Sequence, residues 1–179
     1  MVIVVFGVSG SGKTAVGEAL AKRLGWAFED ADDWHPAANV EKMHSGKPLT
    51  DEDREPWLQA LNRSIRGWTS EGHDVILACS ALKLHYRDEL RAGIPAAQIR
   101  FVYLRGAYQE IDQRLRLRTG HFMPESLLKS QFADLEEPQP SEALIVEIHP
   151  SVASIVETIV SALHLTPSDP GTSGSPRPI

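Results

Sequence analysis

The run Gly7-Val8-Ser9-Gly10-Ser11-Gly12-Lys13-Thr14 is a full match to G-x-x-x-x-G-K-[ST]. That spacing suits one task, cradling the phosphates of a nucleotide. Glycines let successive backbone N–H groups, from Gly7 and Ser9 through Gly10, Ser11 and Gly12, turn inward around phosphate oxygens. A helix beginning at the end of the run would point its positive end at the same anion. Lys13 would reach the β- and γ-phosphates, and the Thr14 hydroxyl would bind Mg²⁺. A chance glycine-rich turn is the competing explanation. At ordinary residue frequencies such a match arises in roughly one chain in a hundred or fewer. The nucleotide reading leaves three classes open: a small-molecule kinase, a GTPase switch and a non-catalytic nucleotide-binding module. No Asn-Lys-x-Asp guanine motif occurs, which counts against the switch.

A kinase needs a second set of polar groups to hold its acceptor. Asp30-Ala31-Asp32-Asp33-Trp34-His35-Pro36 supplies one. A carboxylate there could orient and deprotonate a hydroxyl, and Asp32 is the choice for that role. A lone acidic triplet is more often a solvated loop, but its position beside a phosphate loop reverses that weighting. Ser80 and Lys83 begin another polar stretch, with Arg87 one helical turn beyond Lys83 on the same face. A helix with exposed cations would produce the same spacing. Arg114 and Arg118 close one helical stretch just before Gly120-His121-Phe122. Arginines in such a segment can neutralise charge on a transferring phosphoryl group. Cys79 reads as a small core residue, not a nucleophile. The histidines, without a cysteine pair, make no zinc site.

The elements that must position these residues follow from periodicity. Val2–Phe6 is an apolar, β-branched run ending at glycine, and Val75–Cys79, Ile99–Leu104 and Leu144–Ile148 are similar. A further strand begins around Trp26–Phe28. Val16, Ala19, Leu20 and Leu24 share a helical face after Lys13, and Gly25 stops that helix. Thr50 and Asp53 have capping-box spacing before the stripe Trp57, Leu58, Leu61, Ile65, although Pro56 blurs where that helix starts. Helical stretches are expected at Lys83–Arg91, Tyr108–Leu117 and Ser126–Leu135, with Ser151 capping a last one. The segment from Asp30 to Thr50 is polar, and His35-Pro36 argues against a helix running through it. Strands alternating with helices predict a three-layer α/β fold, a mostly parallel sheet covered on both faces.

Length and charge set the outer bounds. The 179 residues fit one kinase domain over 1–165, followed at 166–179 by a tail rich in Pro, Gly and Ser that is expected to be disordered. A net charge of −6 argues against a nucleic-acid partner. The apolar start is too short for a signal peptide or membrane span, and a single cysteine precludes an internal disulfide. A soluble cytoplasmic protein with no membrane partner is expected.

Taken in order, these motifs resemble the bacterial-type gluconate kinases. The residues carrying the likeness are Gly7–Thr14, Asp30-Ala31-Asp32 with His35-Pro36, Asn39–Met43, Ser45–Leu49, Asp51–Trp57, Cys79–Arg87, Gly120–Phe122 and Ser130–Phe132. The resemblance runs over residues 2 to 163 and implies a nucleoside-monophosphate-kinase-like fold with a short lid. It implies phosphorylation of D-gluconate at the C6 hydroxyl by ATP with Mg²⁺, in a homodimer. It places Asp32 at the acceptor and makes His35, Arg54, Lys83, Arg87 and His121 candidate gluconate contacts. Lys13 and Arg118 join Asp32 as the catalytic set, with Arg114 and Arg118 as nucleotide contacts from the lid. Shikimate kinase is the nearest rival, since it shares Asp-x-Asp. It carries a run of glycines where this chain has Ser80-Ala81-Leu82-Lys83.

Overall fold

A computed structural model of the chain describes residues 1–117 and 125–167. Five strands, β1 (Val2–Phe6), β2 (Ala27–Asp30), β3 (Val75–Cys79), β4 (Ile99–Arg105) and β5 (Leu144–Glu147), form one sheet in the order β2-β3-β1-β4-β5. Every neighbouring pair is parallel. Among the described residues seven helices connect and flank them: α1 (Lys13–Leu24), α2 (Ala37–His44), α3 (Asp51–Ser70), α4 (Leu84–Arg91), α5 (Tyr108–Leu117), α6 (Glu125–Asp134) and α7 (Val152–Ala162).

Side chains alternate across β1, so Val2, Val4 and Phe6 meet one layer while Ile3 and Val5 meet the other. The first layer contains Trp57, Leu61, Ile65 and Trp68 of α3 and Tyr86 and Leu90 of α4. The second contains Val16, Leu20 and Leu24 of α1, Ile111 of α5, and Ile155, Val156 and Ile159 of α7. Both faces of the strands are therefore buried, which is why they read as continuous apolar runs.

Register decides where the site lies. Phe6 pairs with Cys79 and with Tyr103, and Asp30 pairs with Ala78. The carboxyl ends of β1, β2 and β3 thus finish level, and the loops that follow them open into one crevice. The order reverses around β1, whose neighbours β3 and β4 lie on opposite sides, and ligands bind in such sheets at that point.

Two local readings gain detail from the structure. The polar stretch after β2 holds a 3₁₀ turn, Ala31–Trp34, and then α2, with Pro36 at its N-cap. No helix runs through His35-Pro36, as expected, but α2 starts directly behind it. Pro56, which blurred the start of α3 in the sequence, lies inside that helix. The reciprocal Thr50–Asp53 capping box fixes that start at Asp51.

Candidate active site

The phosphate loop owes its form to left-handed backbone at Gly10 (φ 83°) and Gly12 (φ 95°), a region side chains rarely adopt. Gly12 caps α1 with no side-chain hydrogen bond, and no acidic residue sits in that helix's first turn. The N-terminal N–H groups of α1 are left for an external anion. Ser11 is buried and its Oγ has no partner, lying beside Gly7 of the loop. The Lys13 ammonium lies within the loop, donating to the Val8 carbonyl at 3.2 Å. Burial pushes its pKa down, opposed by the charge of nearby Asp32.

Asp32 stands across the crevice from Lys13. Its side chain is exposed at the surface, yet partial loss of hydration among its neighbours pushes its carboxyl up, against the pull of Lys13. Asp30 and Asp33 raise it further. Asp30 does something the motif reading missed. Its Oδ2 accepts a hydrogen bond from Thr14 Oγ1 at 3.0 Å, and its Oδ1 caps the 3₁₀ turn by accepting from Asp32 N–H. The hydroxyl of the phosphate loop and the last carboxylate of β2 therefore share one point. No cage of three or more His, Cys, Asp or Glu side chains exists among the described residues. A magnesium site does not need one, because that ion keeps waters and takes one or two protein oxygens plus phosphates. Thr14 and Asp30 fit that requirement.

A compact charged cluster forms the wall where α3, α4 and α6 converge. Lys83 Nζ donates to Asp51 Oδ1 at 2.7 Å and lies 3.7 Å from Asp134 Oδ1. Arg54 Nη1 donates to the Leu49 carbonyl at 2.8 Å and to the Tyr86 hydroxyl at 3.0 Å, with Asp134 Oδ2 at 3.9 Å. The Tyr86 hydroxyl donates in turn to Asp51. Bonds from Lys83 and Tyr86 hold the Asp51 carboxyl below its usual range. Asp134 was not anticipated, because only the close of the chain over α6 brings it to residues 51–86.

His35 stacks on Trp57 with ring centroids 4.2 Å apart, and its Nδ1 is buried without a partner. Burial, with Arg54 nearby, pulls its pKa down to about 4, so the imidazole is neutral near pH 7. Ala81, in the loop after β3, holds a left-handed φ of 34°, a strained value of the kind that gathers at functional loops.

Arg87 does not join this wall. It is 3% exposed, and its guanidinium donates to the carbonyls of Ala81 (3.1 Å), Leu82 (2.9 Å) and Glu136 (3.1 Å) while packing over the Phe6 ring. The residue lies on the inner face of α4, so the one-turn spacing from Lys83 places it in the core and not at the crevice. Lys83 is the N-cap of α4 and not its first helical residue. Arg114 sits at the end of α5, donating to Glu110 and to the Ile148 carbonyl. Arg118 and His121 lie outside the described residues. Cys79 is fully buried, with burial pushing its thiol up to about 12, consistent with a packing role.

Comparison with known proteins agrees with this fold. A family model described as an AAA domain matches residues 2–138. A gluconokinase of Gluconobacter oxydans is 50% identical over 154 residues, 84% of this chain and 85% of its own. The crystal structure of a gluconokinase from Sinorhizobium meliloti superposes with a TM-score of 0.81 at 43% identity, covering 90% of each chain. A shikimate kinase from Aquifex aeolicus superposes with a TM-score of 0.59 at 17% identity, covering 92% of this chain and 96% of its own, a likeness of fold alone. The chain belongs to the gluconokinase family of phosphate-loop kinases.

Proposed function

We propose that this chain transfers the γ-phosphoryl group of ATP to the C6 hydroxyl of D-gluconate, giving 6-phospho-D-gluconate and ADP. The observation that carries the reading is the meeting of Lys13, Asp32 and the uncapped start of α1 beyond the strand ends, with a wall of paired charges beside them. Relatives named gluconokinase along most of the chain point the same way.

Phosphoryl transfer has a loose transition state, so placement and charge neutralisation matter more than strong deprotonation. Asp32 orients the acceptor hydroxyl and takes its proton late. Its raised pKa brings it closer to the acidity needed to receive that proton. Lys13 and the amides at the start of α1 neutralise the β- and γ-phosphate oxygens, while Ser9 N–H is engaged by Gln131 and Ser11 N–H by the Val8 carbonyl. Thr14 and Asp30 would hold Mg²⁺, which when bound offsets charge on the same oxygens. Arg114 and Arg118 are assigned to the nucleotide phosphates, and His121 to the edge of the acceptor.

At the far end of the crevice Arg54 and Lys83 form the cationic wall for the gluconate carboxylate, with neutral His35 as a hydrogen-bonding contact to its hydroxyls. A planar guanidinium can hold both carboxylate oxygens, which favours Arg54 as the principal partner. Asp51 and Asp134 pair with both cations in this structure, so the gluconate carboxylate would take the place of one of these partners. The protein is assigned to the cytoplasm as a homodimer, and among its described residues no helix is long and apolar enough to cross a membrane.

A coupled assay of ADP release over gluconate, shikimate, glycerate and nucleoside monophosphates tests this reading. Turnover with gluconate well above all others is expected. A preference for shikimate or for a nucleotide acceptor would overturn it.

A further inference from the structure

We infer that Gln131 is a positioning residue for the nucleotide: from α6 it holds the outer edge of the phosphate loop in its binding form. The inference rests on the ATP-dependent reading above.

The two sides of the loop are restrained differently. On the inner side the loop bonds to itself, with Ser11 N–H donating to the Val8 carbonyl at 3.2 Å and Lys13 Nζ donating to the same oxygen. The outer edge, Ser9 and Gly10, depends on elements remote in sequence. Ser9 N–H donates to Gln131 Oε1 at 2.7 Å, and Gln131 Nε2 donates back to Ser9 Oγ at 3.1 Å. This reciprocal pair spans 122 residues of sequence. Gly10 is held by shape instead: a Cβ added there would lie 2.8 Å from Leu115 Cγ and 3.1 Å from Ile111 Cγ2, both on α5.

The pair is not what docks α6. Leu128 is buried in the core, and Phe132 packs edge-on against Tyr108 of α5 with centroids 5.2 Å apart. Removing the Gln131 amide therefore leaves the apolar seat of the helix intact. What it removes is the restraint on Ser9. A loop that must be ordered as ligand arrives binds that ligand more weakly, whereas a pre-ordered one does not carry that cost. The effect falls on nucleotide before gluconate, because Gln131 touches Ser9 next to Gly10–Thr14, whereas the α6 residue at the acceptor wall is Asp134, which keeps its own ion pairs with Arg54 and Lys83.

The test compares wild type, Gln131→Met, Ser9→Ala and the double variant, with Met keeping the length of Gln without its hydrogen bonds. ADP binding is measured by calorimetry beside KM for ATP, KM for gluconate and melting temperature. Gln131→Met is expected to weaken ADP and raise KM for ATP about tenfold, the scale of one or two neutral hydrogen bonds, with KM for gluconate unchanged within about twofold. Ser9→Ala should lie between wild type and Gln131→Met, and the double variant should be no worse than Gln131→Met alone. Unchanged ADP affinity in Gln131→Met overturns the inference. Tighter ADP binding also overturns it, showing that Gln131 competes with nucleotide. A large fall in melting temperature with both substrates affected alike assigns Gln131 to the fold and overturns it too. Wild-type protein that binds ADP but does not phosphorylate gluconate would refute the proposed function while leaving the calorimetric comparison valid.

Discussion

Replacing Arg87 by Met should damage the fold and spare the choice of substrate. The guanidinium makes three hydrogen bonds to backbone carbonyls, at 2.9, 3.1 and 3.1 Å, in a buried position. Each bond from a charged donor contributes about 1.5–3 kcal/mol, but the three are not additive. Part of the loss is recovered because a buried cation no longer needs desolvating, and Met refills much of the volume. A net cost on the order of 3 kcal/mol is expected, or roughly 6–12 °C in melting temperature for a chain of this size. The loss concerns a join: Arg87 ties the turn after β3 to Glu136, whose own N–H donates to the Leu82 carbonyl and whose carboxylate accepts from Leu84 N–H. Arg54→Ala should behave in the opposite way. Its side chain is 13% exposed beside the crevice, and removing it should cost about 2–4 kcal/mol in kcat/KM for gluconate and narrow the preference over glucitol. Thermal melts and kcat/KM for both acceptors, in wild type and both variants, decide the matter. If Arg87→Met melts like wild type yet loses gluconate preference, the assignment of Arg87 to the fold is wrong.

Two other outcomes follow from the crevice. Asp32→Asn keeps size but removes the proton acceptor, so kcat should fall roughly 100-fold or more with ADP affinity little changed; collapse of nucleotide binding with high residual kcat would place Asp32 at the metal instead. His35 has a folded pKa of about 4 against an ordinary value of 6.5, so between those pH values the unfolded chain binds the extra proton and stability falls as pH falls. His35→Gln should flatten that part of the stability–pH curve measured by denaturant melts, and an unaltered slope would refute the assignment.

The sheet, α1 and the phosphate loop were legible in the residues because each rests on short-range rules. Strands buried on both faces must be continuously apolar, and a loop that wraps phosphate must spend glycines at fixed spacing. The Thr50–Asp53 box and the Ser151 cap are local in the same sense, each a side chain reaching a backbone N–H three residues on. α2 escaped notice because its polar residues carry little periodic signal, with Asn39 its one buried position. Tertiary structure decided what depends on distance along the chain. Helical spacing puts Lys83 and Arg87 on one side of α4, but only packing reveals that this side turns inward at Arg87 and outward at Lys83. Asp134 with Arg54 and Lys83, Asp30 with Thr14, and Gln131 with Ser9 are pairings between elements, and composition or periodicity within one element says nothing of its partner. A motif specifies the groups that must be present, whereas strand register and helix packing determine which of them share a site.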